Sequence, residues 1–318
     1  MAPLVSVIIP VFNGQAYLAE TLACALGQTY PNIEIIVVDD GSTDGSAGIA
    51  RSFGDRVRLF AQSNAGAGAA RNMGFARSRG EYIFFLDADD VIKPGLVDKL
   101  VRALETSGAD AAYSDWQKLR KDASGRFFAA EIQKQDMTEV DPEPEIALFI
   151  GFWAPPAAWI YRRGMVEKVG GHGDLRYIQD AKFHIEAAMQ GAKFVHAHGV
   201  DAFYREHESG LSKINACGVV RDQLLSADEV RKHWEAAGPL TETRRKALLG
   251  VYGIVARTSH GVDRETFKKS FAAMKEIDPK YCPTSSRLMT ILCRAFGFSA
   301  ALALAALWHR TKKGMSLR

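Results

Sequence analysis

A chain of 318 residues with 47% hydrophobic content is long enough to bury one large core and an appendage. A net charge of +3 is too small to indicate a nucleic-acid partner, and four scattered cysteines without C-x-x-C spacing point to neither a zinc module nor a disulfide framework. Apolar sequence begins almost at once, so no signal peptide is expected, and a cytoplasmic location is the expectation.

In chain order, Val5-Ser6-Val7-Ile8-Ile9-Pro10 is a continuous apolar run of the kind that fills a parallel strand buried on both faces. A helical pattern follows through Leu18, Leu22 and Leu26. A second strand, Ile33–Val38, ends in Asp39-Asp40-Gly41-Ser42-Thr43-Asp44, where Ser42 and Thr43 are expected to cap the next helix. Val57–Phe60 reads as a third strand, and Ala67–Arg77 as a helix closed by Gly80. The fourth strand, Tyr82–Leu86, ends abruptly in Asp87, Asp89 and Asp90. This alternation predicts an α/β fold with a mostly parallel sheet flanked by helices. Ligands of such sheets bind beyond the carboxyl ends of the strands. Pro10–Asn13, Asp39–Asp40 and Asp87–Asp90 all lie there, so one shared site is expected.

The Asp87–Asp90 run carries the most chemistry. Alternation along a strand would point Asp87 and Asp89 one way and Asp90 another. Two carboxylates on one side repel and call for a hard divalent cation, Mg²⁺ or Mn²⁺, with positions left open for phosphate oxygens. A solvated acidic turn is the plainer alternative, and the metal reading gains on it because other motifs fit around the run. Gly66-Ala67-Gly68-Ala69-Ala70-Arg71 begins like a dinucleotide fingerprint, but Arg71 takes the third glycine's place after the wrong strand. A nicotinamide-dependent dehydrogenase is therefore not expected.

Six pieces of the chain, in order, resemble the family 2 glycosyltransferases: Val5–Asn13, Gln28-Thr29-Tyr30-Pro31-Asn32, Val37–Asp44, Asn64-Ala65-Gly66, Ala70-Arg71-Asn72 and Leu86–Asp90. The resemblance is dense over roughly residues 4–115 and recurs in patches to about 213. It implies the Rossmann-like GT-A fold with a helical C-terminal extension, and inverting, metal-dependent transfer from a nucleotide-diphosphate sugar, UDP-linked by preference. The acceptor it implies is a hydroxyl of a glycan or lipid-linked molecule of the bacterial cell-surface type.

The resemblance also suggests roles. Asp40, with Asp39 close behind, would accept from a nucleobase N–H, and Pro10 and Phe12 would line the base site, Phe12 covering the ring face. Helix capping beside Ser42 is the alternative for either aspartate. Asp87 corresponds to a ribose-side residue and Asp89 to the metal ligand. Arg71 would reach the nucleotide or its phosphates, or else remain a solvated helix arginine. The general base is expected from Gly170–Asp180, where Gln179 replaces the family's glutamate and Asp180 is retained. Asp174 is the runner-up, and a dipole-favoured helix aspartate is the structural alternative for Asp180. Arg205 and His207, in Phe203–Ser212, resemble a loop that folds over the diphosphate, with His207 as a metal contact or a structural histidine. Trp153 and Trp159 stand where the family faces its acceptor, or belong to the core.

Residues 1–115 thus read as a nucleotide half, 116–213 as an acceptor half with a hairpin at Trp116–Arg126, and 214–318 as a helical region. The tail 287–318 has no acid, several basic residues and an apolar stretch Ala295–Trp308 too short for a confident membrane span. It reads equally as a helix at the inner face of an anionic membrane or as one packed on the catalytic domain. Two other functions fit the frame: a non-catalytic sugar-nucleotide-binding protein, and a nucleotidyltransferase that would release pyrophosphate.

Overall fold

The computed structural model describes residues 2–207, 215–282 and 291. The chain divides into two compact units, Met1–Ile214 and Asn215–Arg318. In the first, the elements run β1 (Val5–Val11), α1 (Leu18–Leu26), β2 (Ile33–Asp39), α2 (Ser46–Ser52), β3 (Arg58–Ala61), α3 (Ala67–Arg77), β4 (Tyr82–Phe85) and β5 (Val91–Ile92). They continue with α4 (Leu96–Ser107), β6 (Ala111–Lys121), β7 (Phe127–Gln133), α5 (Met137–Val140), α6 (Pro144–Ile150), β8 (Trp159–Arg162), α7 (Arg163–Val169), α8 (Gln179–Met189) and β9 (Phe194–Arg205).

One sheet collects all these strands in the order β3-β2-β1-β4-β8-β6-β9-β5, with β7 paired to β6 as the expected hairpin. β1, β2, β3, β4, β6 and β9 run one way, while β8, β5 and β7 run the other. The α/β class with a mostly parallel sheet flanked by helices holds, and its carboxyl edge gathers the ends of β1, β2 and β4. Every residue of β1 is buried, which is why that strand reads as an unbroken apolar run. Its one polar member, Ser6, donates to the buried Glu34 at 2.7 Å, and Glu34 also receives Arg58 Nη1 at 2.7 Å and Arg79 N at 2.6 Å.

Three local expectations are corrected. The fourth strand stops at Phe85, so Asp87–Asp90 form a turn, closed by Asp90 N donating to Asp87 O at 3.1 Å, and strand alternation does not aim these carboxylates. Ser42 and Thr43 do not cap α2; Asp44 does the local work, accepting from Ser46 N at 2.9 Å. Gly80 does not cap α3, which ends at Ser78. It is a close approach instead: a Cβ there would lie 2.6 Å from Ser6 N and 2.8 Å from Leu4 O.

The second unit contains α9 (Ala216–Ala236), α10 (Glu242–Ser259) and α11 (Arg264–Ile277). Asn215, Thr241 and Asp263 each cap one of them by accepting the backbone N–H three residues on. Val230, Trp234, Leu248, Tyr252, Val255 and Met274 form its buried interior. Among the described residues no helix is long and apolar enough to cross a membrane. The expected membrane contact at 287–318, and the loop residues 208–213, lie outside the described residues.

Gly80→Ala is expected to destabilise by about 1–3 kcal/mol, the usual penalty of forcing atoms into a filled space. The clashing atoms are backbone and cannot swing aside. Urea midpoints of the two proteins measure it; an unchanged midpoint contradicts the close-approach account.

Candidate active site

The loops that leave β1 and β2 are fastened to each other. Asn13 adopts a left-handed conformation (φ 52°), which asparagine tolerates better than most residues. From there its Oδ1 accepts from Thr43 N at 2.8 Å, while its own N–H donates to Ser42 Oγ at 3.0 Å. Gly14 N reaches Ser46 Oγ at 2.9 Å and Gln15 N reaches Asp44 Oδ2 at 3.0 Å. Pro10 is buried beneath this zipper, and Phe12 stands out of it, 51% exposed.

Asp39 and Asp40 are both buried at the end of β2 but are used differently. Asp40 accepts three hydrogen bonds, from Gln62 Nε2 (2.7 Å), Ala65 N (2.8 Å) and Gly66 N (2.8 Å), and so fastens the loop before α3. Asp39 accepts from Ser42 N at 3.0 Å. Of the two carboxylates, Asp40 is the more engaged within the chain and Asp39 the less. Asp40's carboxylate faces donors of its own chain in the loop before α3, and it caps neither α2 nor α3.

Beyond β4, the three aspartates separate by partner. Asp87 Oδ1 accepts from Arg71 Nη2 at 2.5 Å. Asp89 Oδ2 lies 2.7 Å from His207 Nε2, and the Asp89 side chain is about one-third exposed. Asp90 is fully buried, and its Oδ1 accepts from Arg205 N at 2.9 Å. Burial, then the charge of Asp89, pushes the Asp87 carboxyl above its ordinary range, with Arg71 opposing. Asp90 is raised well above that range by burial, then by Asp89 and Asp87. Crowded acids that resist ionisation, with one half-open carboxylate beside an imidazole, fit a divalent cation at Asp89 and His207.

Arg71 is not a solvated helix arginine. Its side chain is 3% exposed, and although burial works against its charge, Asp87 and Asp180 outweigh that effect and hold its pKa up. It also ties in Gln179. With that amide oriented to satisfy its neighbours, Oε1 accepts from Arg71 Nη1 at 3.2 Å, and the NH₂ donates to Leu175 O at 3.2 Å and Arg176 O at 2.5 Å. Asn72, the next residue on α3, grips the glycine-rich turn from both sides: Nδ2 donates to His172 O at 2.8 Å, and Oδ1 accepts from His172 N at 2.7 Å. These contacts bring the start of α8, and with it Asp180, to the β4 carboxylates. Asp174 stands exposed in the loop before α8.

Asp180 Oδ2 accepts from Trp153 Nε1 at 3.2 Å. Trp153 is 36% exposed and packs edge-on to Trp116 (5.1 Å) and Tyr204 (5.5 Å), an aromatic corner of which only Trp153 was expected near the acceptor. Trp159 is corrected: it is fully buried, stacked 4.2 Å from His184, and its Nε1 donates to Ala154 O, so it is core and cannot face an acceptor. The Arg205 side chain is 3% exposed, its guanidinium lies 4.7 Å from both the Tyr17 and Phe127 rings, and it pairs with Glu20 at 2.8 Å. These contacts brace the end of β9.

The sequence pattern described as Glycosyl transferase family 2 matches residues 6–170, just over half of the chain. Glycosyltransferase GlyG of Streptococcus pneumoniae is 39% identical over 132 residues, 40% of this chain and 44% of that protein, so the match spans less than half of that relative. The structure of S. aureus TarS 1–349 in complex with UDP-GlcNAc superposes with a TM-score of 0.68 at 20% identity, covering 97% of this chain and 92% of that one. Mannosyltransferase PcManGT from Pyrobaculum calidifontis, in complex with GDP-Man and Mn²⁺, gives 0.50 at 20% identity, covering 96% and 87%. These two likenesses establish the GT-A fold.

Burial pulls His184 from an ordinary 6.5 down to about 4, with Asp180 opposing, and the ring bonds the Tyr161 hydroxyl at 2.6 Å. Between those values the unfolded chain binds the extra proton and the folded one does not. The contribution is therefore fully present above 6.5 and lost as pH falls towards 4, on the order of 3 kcal/mol in all. Urea midpoints should fall more steeply on acidification, from about pH 7 to about pH 5, for the native protein than for His184→Gln. Parallel falls would show that His184 does not set the acid sensitivity.

Proposed function

The chain belongs to glycosyl transferase family 2, and on that footing we propose that it catalyses inverting, divalent-metal-dependent transfer of a sugar from a nucleotide-diphosphate donor, UDP-linked by preference, to a hydroxyl of a glycan or lipid-linked acceptor. The observation that carries the proposal is the convergence of Asp87, Arg71 and Asp180 in one charge-coupled group beside the Asp89–His207 pair. That TarS is described with UDP-GlcNAc and PcManGT with a nucleotide sugar and Mn²⁺ supports the donor class and the metal.

In this reading Phe12 covers the base and Asp39 accepts its N–H, on loops held rigid by Asn13 and Asp44. Asp87 faces the ribose side, its carboxylate oriented by Arg71. Asp89 and His207 would hold the cation, whose chemistry is to offset diphosphate charge and favour departure of the nucleoside diphosphate. Trp153 offers an aromatic face to the acceptor sugar and, through Nε1, orients the Asp180 carboxylate. Asp180 takes the proton from the attacking hydroxyl as the oxygen–anomeric carbon bond forms and the bond to the diphosphate oxygen breaks on the opposite face. The protein acts in the cytoplasm or at the inner face of the membrane.

Two variants test the assignment. Asp180→Asn should keep donor binding and lower turnover by roughly 10²-fold or more, the usual contribution of a positioned base. A larger loss in Asp174→Asn would move the role there. Asp89→Ala should abolish the dependence of turnover on Mn²⁺ while the folded protein persists, and full metal-dependent activity in that variant overturns the cation site. The product separates the other readings: nucleoside diphosphate supports transfer, pyrophosphate a nucleotidyltransferase, and neither a binding protein.

A further inference from the structure

A second cluster of ligating side chains lies away from the carboxylate turn, in the middle of β6 and β9. Asp115, His196 and His198 each offer a donor atom, and those atoms lie within 4.8 Å of one another. Asp115 is buried, with Oδ1 2.8 Å from His196 Nε2 and Oδ2 accepting from Gly199 N at 2.7 Å. The other ring nitrogen of His196, Nδ1, is buried without a well-formed hydrogen bond and faces Asp136 Oδ2 at 3.4 Å. His198 is exposed, and its ring centroid sits 4.2 Å from that of His196.

The backbone explains how the two imidazoles meet. β6 and β9 pair in parallel up to Ser114 and Ala197, and then the register jumps so that Asp115 pairs with Val200. His198 and Gly199 are the residues left over, and Gly199 takes a left-handed φ of 109°. A bulge of this kind re-aims side chains. Here it turns His198 towards His196 over a buried carboxylate. Lys99 does not compete: its Nζ is held by Asp201 at 2.8 Å and by Gly199 O at 2.7 Å.

We propose that Asp115, His196 and His198 form a Zn²⁺ site that pins this bulge. Two imidazoles and a carboxylate suit a borderline-soft ion such as zinc better than Mg²⁺. Ligand atoms around a tetrahedral zinc stand roughly 3.3 Å apart, so a small closure from the present spacing completes three positions. Water takes the fourth on the side where His198 meets solvent. His196 binds through Nε2, and Asp136 accepts from Nδ1–H, the carboxylate–histidine pairing that fixes a ligand's tautomer and orientation. Asp136 also caps α5, accepting from Thr138 N at 2.9 Å, so the ion ties β6, β9 and α5 together. Downstream of the bulge, β9 delivers Arg205 to Asp90 and His207 to Asp89. A fixed bulge therefore sets the register at which these two arrive.

The test uses the full chain, without a histidine tag, in a His207→Ala background so that the Asp89 site does not contribute. After chelator treatment and equilibrium dialysis against micromolar Zn²⁺, elemental analysis should find about one zinc per chain. Adding His198→Ala, a change at an exposed side chain, should reduce zinc to the level of the buffer. Zn²⁺ should raise the melting temperature of the His207→Ala protein, because an ion that binds only the folded state stabilises it. The His198→Ala double variant should melt normally in chelator and show no rise with zinc. Equal zinc in the two proteins, or none in the His207→Ala protein, overturns the proposal and leaves His196 as a hydrogen-bonded histidine between two aspartates. No readout depends on sugar transfer, so the result is independent of the catalytic reading.

Discussion

A guanidinium with 3% of its surface exposed has to be answered by negative charge, and Arg71 is answered from two directions at once. Asp87 comes from the turn after β4 and Asp180 from the start of α8, elements separated by almost a hundred residues of chain. Both acids favour its charged form against the cost of burial. Removing one partner of a buried pair leaves an uncompensated charge, a loss of about 3–5 kcal/mol in measured cases. The second half of the unit is thereby obliged to fold its glycine-rich turn against α3. Gly68 permits this approach, since a Cβ there would meet Gly173 O at 3.3 Å and His172 Cβ at 3.4 Å. The same constraint that satisfies the arginine assembles the site.

Much of this was legible in the sequence, for a physical reason. Strands buried on both faces are apolar almost throughout, so β1, β2 and β4 announced themselves, and the acids that follow them mark the sheet's carboxyl edge. Hydrogen-bond allocation was less legible. Asp39 and Asp40 are adjacent and chemically identical, yet three donors from residues 62–66 converge on one of them. No local pattern distinguishes them, because those donors belong to a loop whose path the tertiary fold sets. Trp159 and Trp153 pose the same difficulty. Both are tryptophans near a predicted site, and only the packing of His184 against one and the opening beside the other decides which is core.

Strand periodicity also failed where it was extended too far. Alternation describes a chain only while it remains a strand, and β4 ends at Phe85. In the turn that follows, three acids are sorted by partners: Asp87 by a buried cation, the partly exposed Asp89 by a mostly buried imidazole, Asp90 by a backbone N–H in the interior. The sorting depends on β9, since Arg205 N and His207 arrive from its end. Residues more than a hundred positions away thus determine which carboxylate stays accessible, and nothing in the run Asp87–Asp90 encodes that by itself.

Gln179 shows the dependence in the opposite direction. The family resemblance leads one to expect a glutamate there, and an ionised glutamate would add a further negative charge beside Asp87 and Asp180, which already outnumber the one guanidinium. The glutamine supplies an acceptor to Arg71 Nη1 without adding charge. Its NH₂ meanwhile donates to the carbonyls of Leu175 and Arg176, bonds that an ionised glutamate has no hydrogen to make. The loop from His172 to Ile178 is consequently held at both ends, by Asn72 at the turn and by the amide at the helix start. The departure at residue 179 is fitted to the conformation of the loop it closes. Asp180 can keep its place on α8 because the residue before it serves Arg71 through an amide.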